Sequence, residues 1–485
     1  GGTIGLYAKD VMRFDNVSVQ EPVSTAYVVL STPIAYTTAA SGNISATAQV
    51  ANMPAGGSVE FLLDGGASTV VNTAPFTAQF AGAGAGNHTV EAVLRNAVNT
   101  EIDRDTNLLI GRTGEVVVGI GDSITDGIGD SFRSDNISAL ERVIGFQGYE
   151  APLTDKLDAT RVATPTIVIN EGIGGDETFD AAFVRIDSIL ERHPDANRML
   201  ILLGTNDTFV PVDPGTGCSG SACDLTYKGN MQALVDKIIW ADYPTNSVPS
   251  NIVPVIALGP PVFTGASPWT SAANDRIRAY HDVIQTEISG AQVGPDMFDY
   301  FMPNASTLRR SLFADNLHPN SLGYEVMAVL WHNALEPASP LALPFVLEDV
   351  TSSVATLPRQ TLVENGDLIR QSGSVTVSNI PATLNGGRWV LTENDFSNTS
   401  ADYLQFTVDR NVTVYIAYDA GATSRPNWMS TFVDTGLSVT TTDNNGPSLN
   451  LWSKTFSAGT VTLGGNAAAG ASGSDSNYVA IIVEN

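Results

Sequence analysis

Ser123, Asp315 and His318 are the residues of this 485-residue chain whose types, taken together, can do chemistry. A serine hydroxyl is a weak nucleophile near neutral pH and needs a base beside it. Imidazole titrates close to neutrality and suits that part. Asp315 precedes His318 by three residues, within reach of the ring across a tight turn. Its carboxylate would accept the Nδ1 proton, fix the tautomer and stabilise the imidazolium. The chemistry such a trio serves is acyl transfer through a serine ester. The chain order is Ser, Asp, His, and no Gly-x-Ser-x-Gly elbow occurs, which argues against an ordinary α/β-hydrolase.

Ser123 lies in Gly121-Asp122-Ser123-Ile124-Thr125-Asp126-Gly127, directly after the apolar run Val116–Ile120. A short, continuously apolar run with turn formers behind it predicts a buried parallel strand. Open α/β sheets carry their sites at the ends of such strands. Two more stretches repeat the arrangement. Asn170-Glu171-Gly172-Ile173-Gly174-Gly175-Asp176 follows Thr166–Ile169, and Gly204-Thr205-Asn206-Asp207 follows Met199–Leu203. Each block alone has an ordinary reading: a turn, a loop after a strand, a helix cap before Pro319. Their joint occurrence in this order is what points to a site.

With Asp315-Asn316-Leu317-His318-Pro319, the four blocks resemble, in order, the Ser, Gly, Asn and Asp-x-x-His blocks of the SGNH, or GDSL-type, hydrolases. The resemblance covers the middle half of the chain. It implies a flavodoxin-like α/β/α fold with a parallel sheet and the hydrolysis of esters. It also implies an oxyanion hole made by the Ser123 N–H, the Gly175 N–H and the Asn206 side-chain amide. Gly172 is the alternative glycine; Gly175 is preferred because it precedes Asp176-Glu177-Thr178, as the family's glycine precedes an Asp-x-Thr-like stretch. The residue types suit the task. Glycine lets backbone approach a substrate closely, and an amide donates without competing for the catalytic proton.

The rest of the chain reads as β-rich modules around this centre. Segment 1–22 reads as two short strands and resembles the closing strands of concanavalin-like jelly rolls, either the end of an upstream domain or strands that dock elsewhere. Segment 23–112 alternates apolar and polar residues between close turn signals, which predicts a β-sandwich. Its Val59-Glu60-Phe61, Pro75-Phe76 and Gly86-Asn87-His88-Thr89-Val90 pattern resembles bacterial immunoglobulin-like modules, with His88 a solvent-facing strand residue. Segment 113–345 alternates strand runs with helical patterns over Asp180–Arg192, Tyr227–Ala241, Ala272–Ser289 and Ser321–Leu335, and is the predicted hydrolase domain. Segment 346–485 returns to alternation and resembles the β-sandwich accessory regions of secreted polysaccharide-degrading enzymes. Its Trp389, Trp428, Trp452, Tyr415 and Tyr418 have two readings, stacking on sugars or packing, and packing is the more ordinary one.

Composition narrows the partners. There are 24 basic and 51 acidic residues, a net charge of −27. Such a balance opposes binding to nucleic acid phosphates or anionic membranes. No apolar run is long enough to span a bilayer. Cys218 and Cys223, in a Gly/Ser-rich loop, read as a local disulfide formed in an oxidising compartment, with two free thiols as the alternative. The chain opens Gly1-Gly2-Thr3 without Met, so it reads as a processed or truncated secreted protein. His193, His281 and His332 fall in helical patterns and read as surface or packing residues. No cofactor or catalytic metal is expected. Asp126, Asp130 and Asp135, or Asp443 beside Asn444 and Asn445, carry oxygen ligands of the kind Ca²⁺ takes, although a solvated acidic loop is the simpler reading.

Three functions remain open on the sequence. The first is a secreted esterase that removes acyl groups, acetyl above all, from a polysaccharide or a small ester. The second is a lipase, phospholipase or arylesterase of the same fold. The third is a glycan-binding or adhesion protein with a vestigial hydrolase domain.

Overall fold

The computed structural model describes residues 26–485 apart from 34–37, 40–42, 84–85, 112–114, 132–146, 162–165, 264–270, 304–308, 355–356, 372, 395–396 and 445–446. The two strands expected in 1–22 lie outside the described residues, as do Asp135 and Asn445.

Period-two alternation sends one side of each N-terminal strand inward. The strands are β1 (Tyr27–Thr32), β2 (Thr38–Ala39), β3 (Ile44–Ala51), β4 (Ser58–Leu63), β5 (Ala67–Val71), β6 (Phe76–Phe80), β7 (Gly86–Arg95) and β8 (Glu101–Gly111). They form a three-stranded sheet, β1-β3-β6, and a five-stranded sheet, β2-β8-β7-β4-β5. Val28, Leu30 and Ile44 of the first meet Val59, Phe61 and Val90 of the second in one core. His88 does not simply face solvent: its Nδ1 lies 2.7 Å from Asp64 Oδ2.

The central strands are apolar at consecutive positions, so both their faces need cover. They are β9 (Glu115–Gly121), β10 (Thr166–Gly172), β11 (Arg198–Leu202), β12 (Val253–Leu258) and β13 (Gln292–Asp296). All pair in parallel, in the order β10-β9-β11-β12-β13. The helices are α1 (Ser123–Asp126), α2 (Glu150–Thr160), α3 (Thr178–Asp180), α4 (Ile186–Arg192), α5 (Tyr227–Ile239), α6 (Ser271–Thr286), α7 (Met297–Phe301) and α8 (Ser321–Leu335). A π-helical turn, Ala181–Arg185, joins α3 to α4. Alternate residues of β9 serve opposite layers. Val116, Val118 and Ile120 pack with Ile186, Leu234 and Tyr280 of α4, α5 and α6. Val117 packs with Leu153, Met327 and Trp331 of α2 and α8. This is the α/β/α arrangement expected from the sequence. Among the described residues, no helix is long and apolar enough to cross a membrane.

The C-terminal strands are β14 (Glu348–Ser352), β15 (Arg359–Thr361), β16 (Val377–Asn379), β17 (Arg388–Leu391), β18 (Leu404–Val408), β19 (Val412–Asp419), β20 (Val433–Thr441), β21 (Ser448–Phe456), β22 (Gly459–Leu463) and β23 (Val479–Glu484). They make a three-stranded sheet, β14-β18-β22, and a seven-stranded one, β15-β17-β23-β19-β21-β20-β16. The larger sheet is buried on both faces. Ala480 and Ile482 of β23 enter one core, and Val479 and Ile481 enter another. Packing accounts for the aromatics: Trp389 and Tyr418 are buried, and the Arg425 guanidinium covers the Trp452 ring at 3.3 Å.

One residue of β15 ties this sheet to the central α/β/α layers. Gln360 is buried; its Nε2 donates to Ser311 Oγ (2.8 Å) and Leu347 O (2.6 Å), and its Oε1 accepts from Leu347 N–H (2.6 Å). Its carbonyl accepts from Asn320 Nδ2 at 2.9 Å. A Gln360→Leu variant strands several buried polar groups, each costing about 1–3 kcal/mol. We expect a loss of about 2–4 kcal/mol, read as a lower urea midpoint.

Candidate active site

Register brings the blocks to one edge of the sheet. Gly121 of β9 stands opposite Gly172 of β10 on one side and Leu202 of β11 on the other. Strand order reverses at β9, and the crevice beyond such a switch point is where open α/β sheets bind ligands. The chain must turn sharply there. A Cβ on Gly121 would lie 2.0 Å from Thr125 Oγ1, and one on Gly172 would lie 2.2 Å from the Asp126 nitrogen. Only glycine permits either approach.

Ser123 is the first residue of α1, and Asp122 caps that helix by accepting from Ile124 N–H at 2.9 Å. A first helical residue has no intrahelical acceptor for its own N–H. The Ser123 Oγ lies 3.0 Å from His318 Nε2, although 195 residues separate the two. His318 Nδ1 lies 2.8 Å from Asp315 Oδ2. The other oxygen, Asp315 Oδ1, accepts from the N–H groups of Leu317 (2.6 Å) and His318 (2.7 Å). One carboxylate therefore shapes the turn and orients the ring. Burial pushes the Asp315 carboxyl up, but hydrogen bonds from the His318 ring and the two amides outweigh it and hold it at about 2. It stays ionised through the range where imidazole works.

Gly175 has φ +91° and open space where a side chain would project; a Cβ on Gly174 would come within 3.9 Å of Ser123 Cβ. The Ile173–Asp176 turn thus lies beside the serine. Asn206 Nδ2 donates to the Asp176 carbonyl at 2.9 Å. That bond uses one of two amide protons and fixes the plane in which the second points. The structure joins Cys218 to Cys223, with Cα atoms 5.3 Å apart.

Residues 120–326 match the profile of the GDSL-like Lipase/Acylhydrolase family. This stretch is a GDSL-like domain.

No curated protein matches the chain. Solved structures that it is similar to include a variant of an acetyl xylan esterase from Geobacillus stearothermophilus, at 18% identity over 46% of this chain and 94% of that one, with a TM-score of 0.32. Another is LAE5, an alpha/beta hydrolase enzyme from the metagenome of Lake Arreo, Spain, at 21% identity, 46% and 94% coverage and TM-score 0.32. A third is the fibronectin(III)-like modules of Clostridium thermocellum CbhA, at 25% identity over 18% of this chain and 94% of that one, with TM-score 0.16.

Several residues hold the GDSL-like site together without having been singled out from sequence. Asn170 Nδ2 donates to the Thr125 carbonyl (2.6 Å), and its Oδ1 accepts from Gly172 N–H (2.8 Å). Asp176 pairs with Arg185, which comes from the π-helical turn and also bonds the Glu171 carbonyl. Asp207 is buried and accepts from the backbone and hydroxyl of Thr178. Burial raises its carboxyl, against those bonds. Asp122 is pushed up by burial to about 7, with the Ile124 amide and the His318 charge opposing the shift. The only sequence signal for these residues is polarity inside or just after an apolar strand, which in a buried setting demands partners. His193, His281 and His332 are all buried; His193 Nε2 lies 2.8 Å from Glu171 Oε1, and His332 Nε2 lies 2.8 Å from Thr160 Oγ1. Among the described residues, no cluster of three or more His, Cys, Asp or Glu is arranged to hold a metal.

Glu171 supplies a pH test of the GDSL-like domain. Burial pushes its carboxyl up, but hydrogen bonds from His193 and Arg192 prevail and hold it at about 2, below the ordinary 4.5. A depressed carboxyl contributes stability that is fully present above its unfolded value and is lost as pH falls toward the folded one. Glu171→Gln should therefore flatten the fall in melting temperature between about pH 4.5 and pH 2. A wild-type slope retained by the variant would remove Glu171 as its source.

Proposed function

We propose that this chain is a secreted serine esterase that removes acyl groups, most directly acetyl, from a polysaccharide. The observation that carries the esterase reading is the continuous relay from Ser123 Oγ through His318 to Asp315, at 3.0 and 2.8 Å. In the first half-reaction Ser123 Oγ attacks the ester carbonyl while His318 Nε2 takes its proton. Asp315 stabilises the imidazolium so formed. The carbonyl oxygen becomes an oxyanion, for which the Ser123 N–H, the Gly175 N–H and the Asn206 amide are the proposed donors. As the tetrahedral intermediate collapses, the C–O bond to the sugar breaks and His318 returns the proton to the leaving hydroxyl. Water, deprotonated by the same imidazole, then attacks the acyl-Ser123 ester; the acid is released and the hydroxyl of Ser123 is restored.

The polysaccharide reading is supported by the β-rich regions on both sides of the GDSL-like domain. We propose these as separate modules, 23–112 and 346–485, around a hydrolase domain at 113–345. Secretion is supported by the Cys218–Cys223 disulfide. The alternative reading, a longer-chain esterase or lipase, draws on the same exposed apolar side chains, Phe179, Phe183, Val184 and Leu225. The deciding experiment compares wild type and Ser123→Ala on acetylated polysaccharides and on p-nitrophenyl esters of increasing length. Acetate released from a polysaccharide and lost in the variant supports the proposal. Activity confined to long-chain esters overturns the polysaccharide reading.

A further inference from the structure

Phe179 and Phe183 are four residues apart on the broken helix that follows the Gly175 turn. The inward side of that helix is supplied by Ala181, Ala182 and Ile186, which leaves the two rings outside the core. They contact each other with centroids 5.1 Å apart, and each remains about two-fifths exposed, 40% and 45%. Large aromatic side chains held together at the surface mark a contact site more often than an accident of composition.

The rings form one wall of a cleft of about 770 Å³. Residues 218–220 and 223–225 of the disulfide loop also line it, Leu225 exposed among them, as does Tyr243. The loop is fixed in advance. Besides the Cys218–Cys223 bond, Glu287 accepts from Gly217 N–H (2.8 Å) and from Lys228 Nζ (2.7 Å). Asn230 lines the cleft too. Its Nδ2 donates to Thr178 Oγ1 at 3.2 Å, while its Oδ1 has no partner although the residue is buried. Thr178 in turn bonds Asp207, the neighbour of Asn206. Phe179 is four residues beyond Gly175, so their Cα atoms are at most about 14 Å apart.

We infer that this cleft is a subsite for the backbone of a neutral glycan chain, seated on Phe179 and Phe183 while its acylated unit lies at Ser123. The inference rests on the esterase reading above and adds the place where the polymer is held. A pyranose ring has apolar C–H faces and a polar rim. The cleft offers the matching pair, aromatic faces and polar groups such as Ser219, Asp224 and Lys228. An acyl-chain site would be walled by apolar groups throughout, which these polar residues contradict. The chain's charge of −27 disfavours a polyanionic glycan and leaves a neutral one.

The test uses the whole chain and acetylated cello- and xylo-oligosaccharides of four to six units. For Phe183→Ala and Phe179→Ala we expect kcat/KM on the better oligosaccharide, divided by kcat/KM on p-nitrophenyl acetate, to fall about tenfold, consistent with loss of an aromatic stacking contact. A ratio that does not move overturns the inference. So does a loss seen on p-nitrophenyl octanoate instead, which would assign the cleft to acyl chains. A second arm is independent of catalysis: calorimetric titration of unacetylated oligosaccharides into the Ser123→Ala chain, with and without Phe183→Ala. Binding weakened about tenfold by the second substitution supports the subsite even if no acetate is released, in which case only the esterase reading fails. Absent or unchanged binding overturns it.

Discussion

Ser123→Ala is expected to abolish acyl-enzyme formation and to lower kcat by about 10⁴-fold or more. The hydroxyl removed is the one 3.0 Å from His318 Nε2, and the other hydroxyl of α1, Thr125 Oγ1, is buried 3.2 Å from Tyr149 OH. Residual hydrolysis, where it exists, comes from binding and oxyanion stabilisation alone, which survive loss of a triad member. The substitution leaves Asp122 capping α1 and Asp315 shaping its turn, so folding should change by no more than about 1 kcal/mol for the lost hydrogen bond. Intact-mass analysis after an organophosphorus probe separates the outcomes. Wild type gains one adduct and the variant none; an adduct on the variant would transfer the role to another residue.

Asn206→Ala is expected to lower kcat by about 10²–10³, or about 2.7–4 kcal/mol, with KM nearly unchanged. The reason lies in when the amide acts. One of its protons is already held by the Asp176 carbonyl, and the proposed bond of the other strengthens only as negative charge grows on the substrate oxygen. Asn206→Asp sharpens the test, because it removes the donor and sets a carboxylate near the developing charge. We expect it to be at least as slow. If both variants keep wild-type kcat, Asn206 serves only to hold the Gly175–Asp176 turn. A raised KM with unchanged kcat would mean that it binds ground and transition states alike.

Much of the central sheet was legible because buried parallel strands are apolar at every position, and β9, β10, β11 and β12 all advertise that. α8 was readable to the residue, since Asn320 caps its start and Pro319 bars anything earlier. By contrast β13, Gln-Val-Gly-Pro-Asp, has neither strand propensity nor an apolar run, and its place at the sheet edge is set by pairing with β12. α2 carries Pro152 in its first turn and is fixed by packing against β10 and α8 rather than by pattern. Ser123, His318 and Asp315 were readable as candidate nucleophile, base and orienting acid from their types, but the distances among them were not. The Asn170, Asp176–Arg185 and Asp207–Thr178 contacts link residues whose spacing in sequence says nothing. They exist because folding buries those polar groups together. The aromatics of the C-terminal segment are packed, the more ordinary of their two readings, while Phe179 and Phe183, at and within the helical pattern of Asp180–Arg192, are exposed, which the pattern alone does not signal.

Gln360 has a consequence for how such a protein can be assembled in evolution. The switch from helical to alternating pattern near residue 346 looks like a seam at which a gene could be cut and a different β-module joined. The physical seam runs elsewhere. Asn320, which caps the helix following His318-Pro319, donates to the carbonyl of Gln360, and Ser311 accepts from its side chain. Recombination at residue 346 would hand the new chain a histidine loop lacking the strand that braces it. Exchange that keeps residues through Thr361 would carry the brace along, so the heritable unit of the GDSL-like domain extends into its neighbour's sheet.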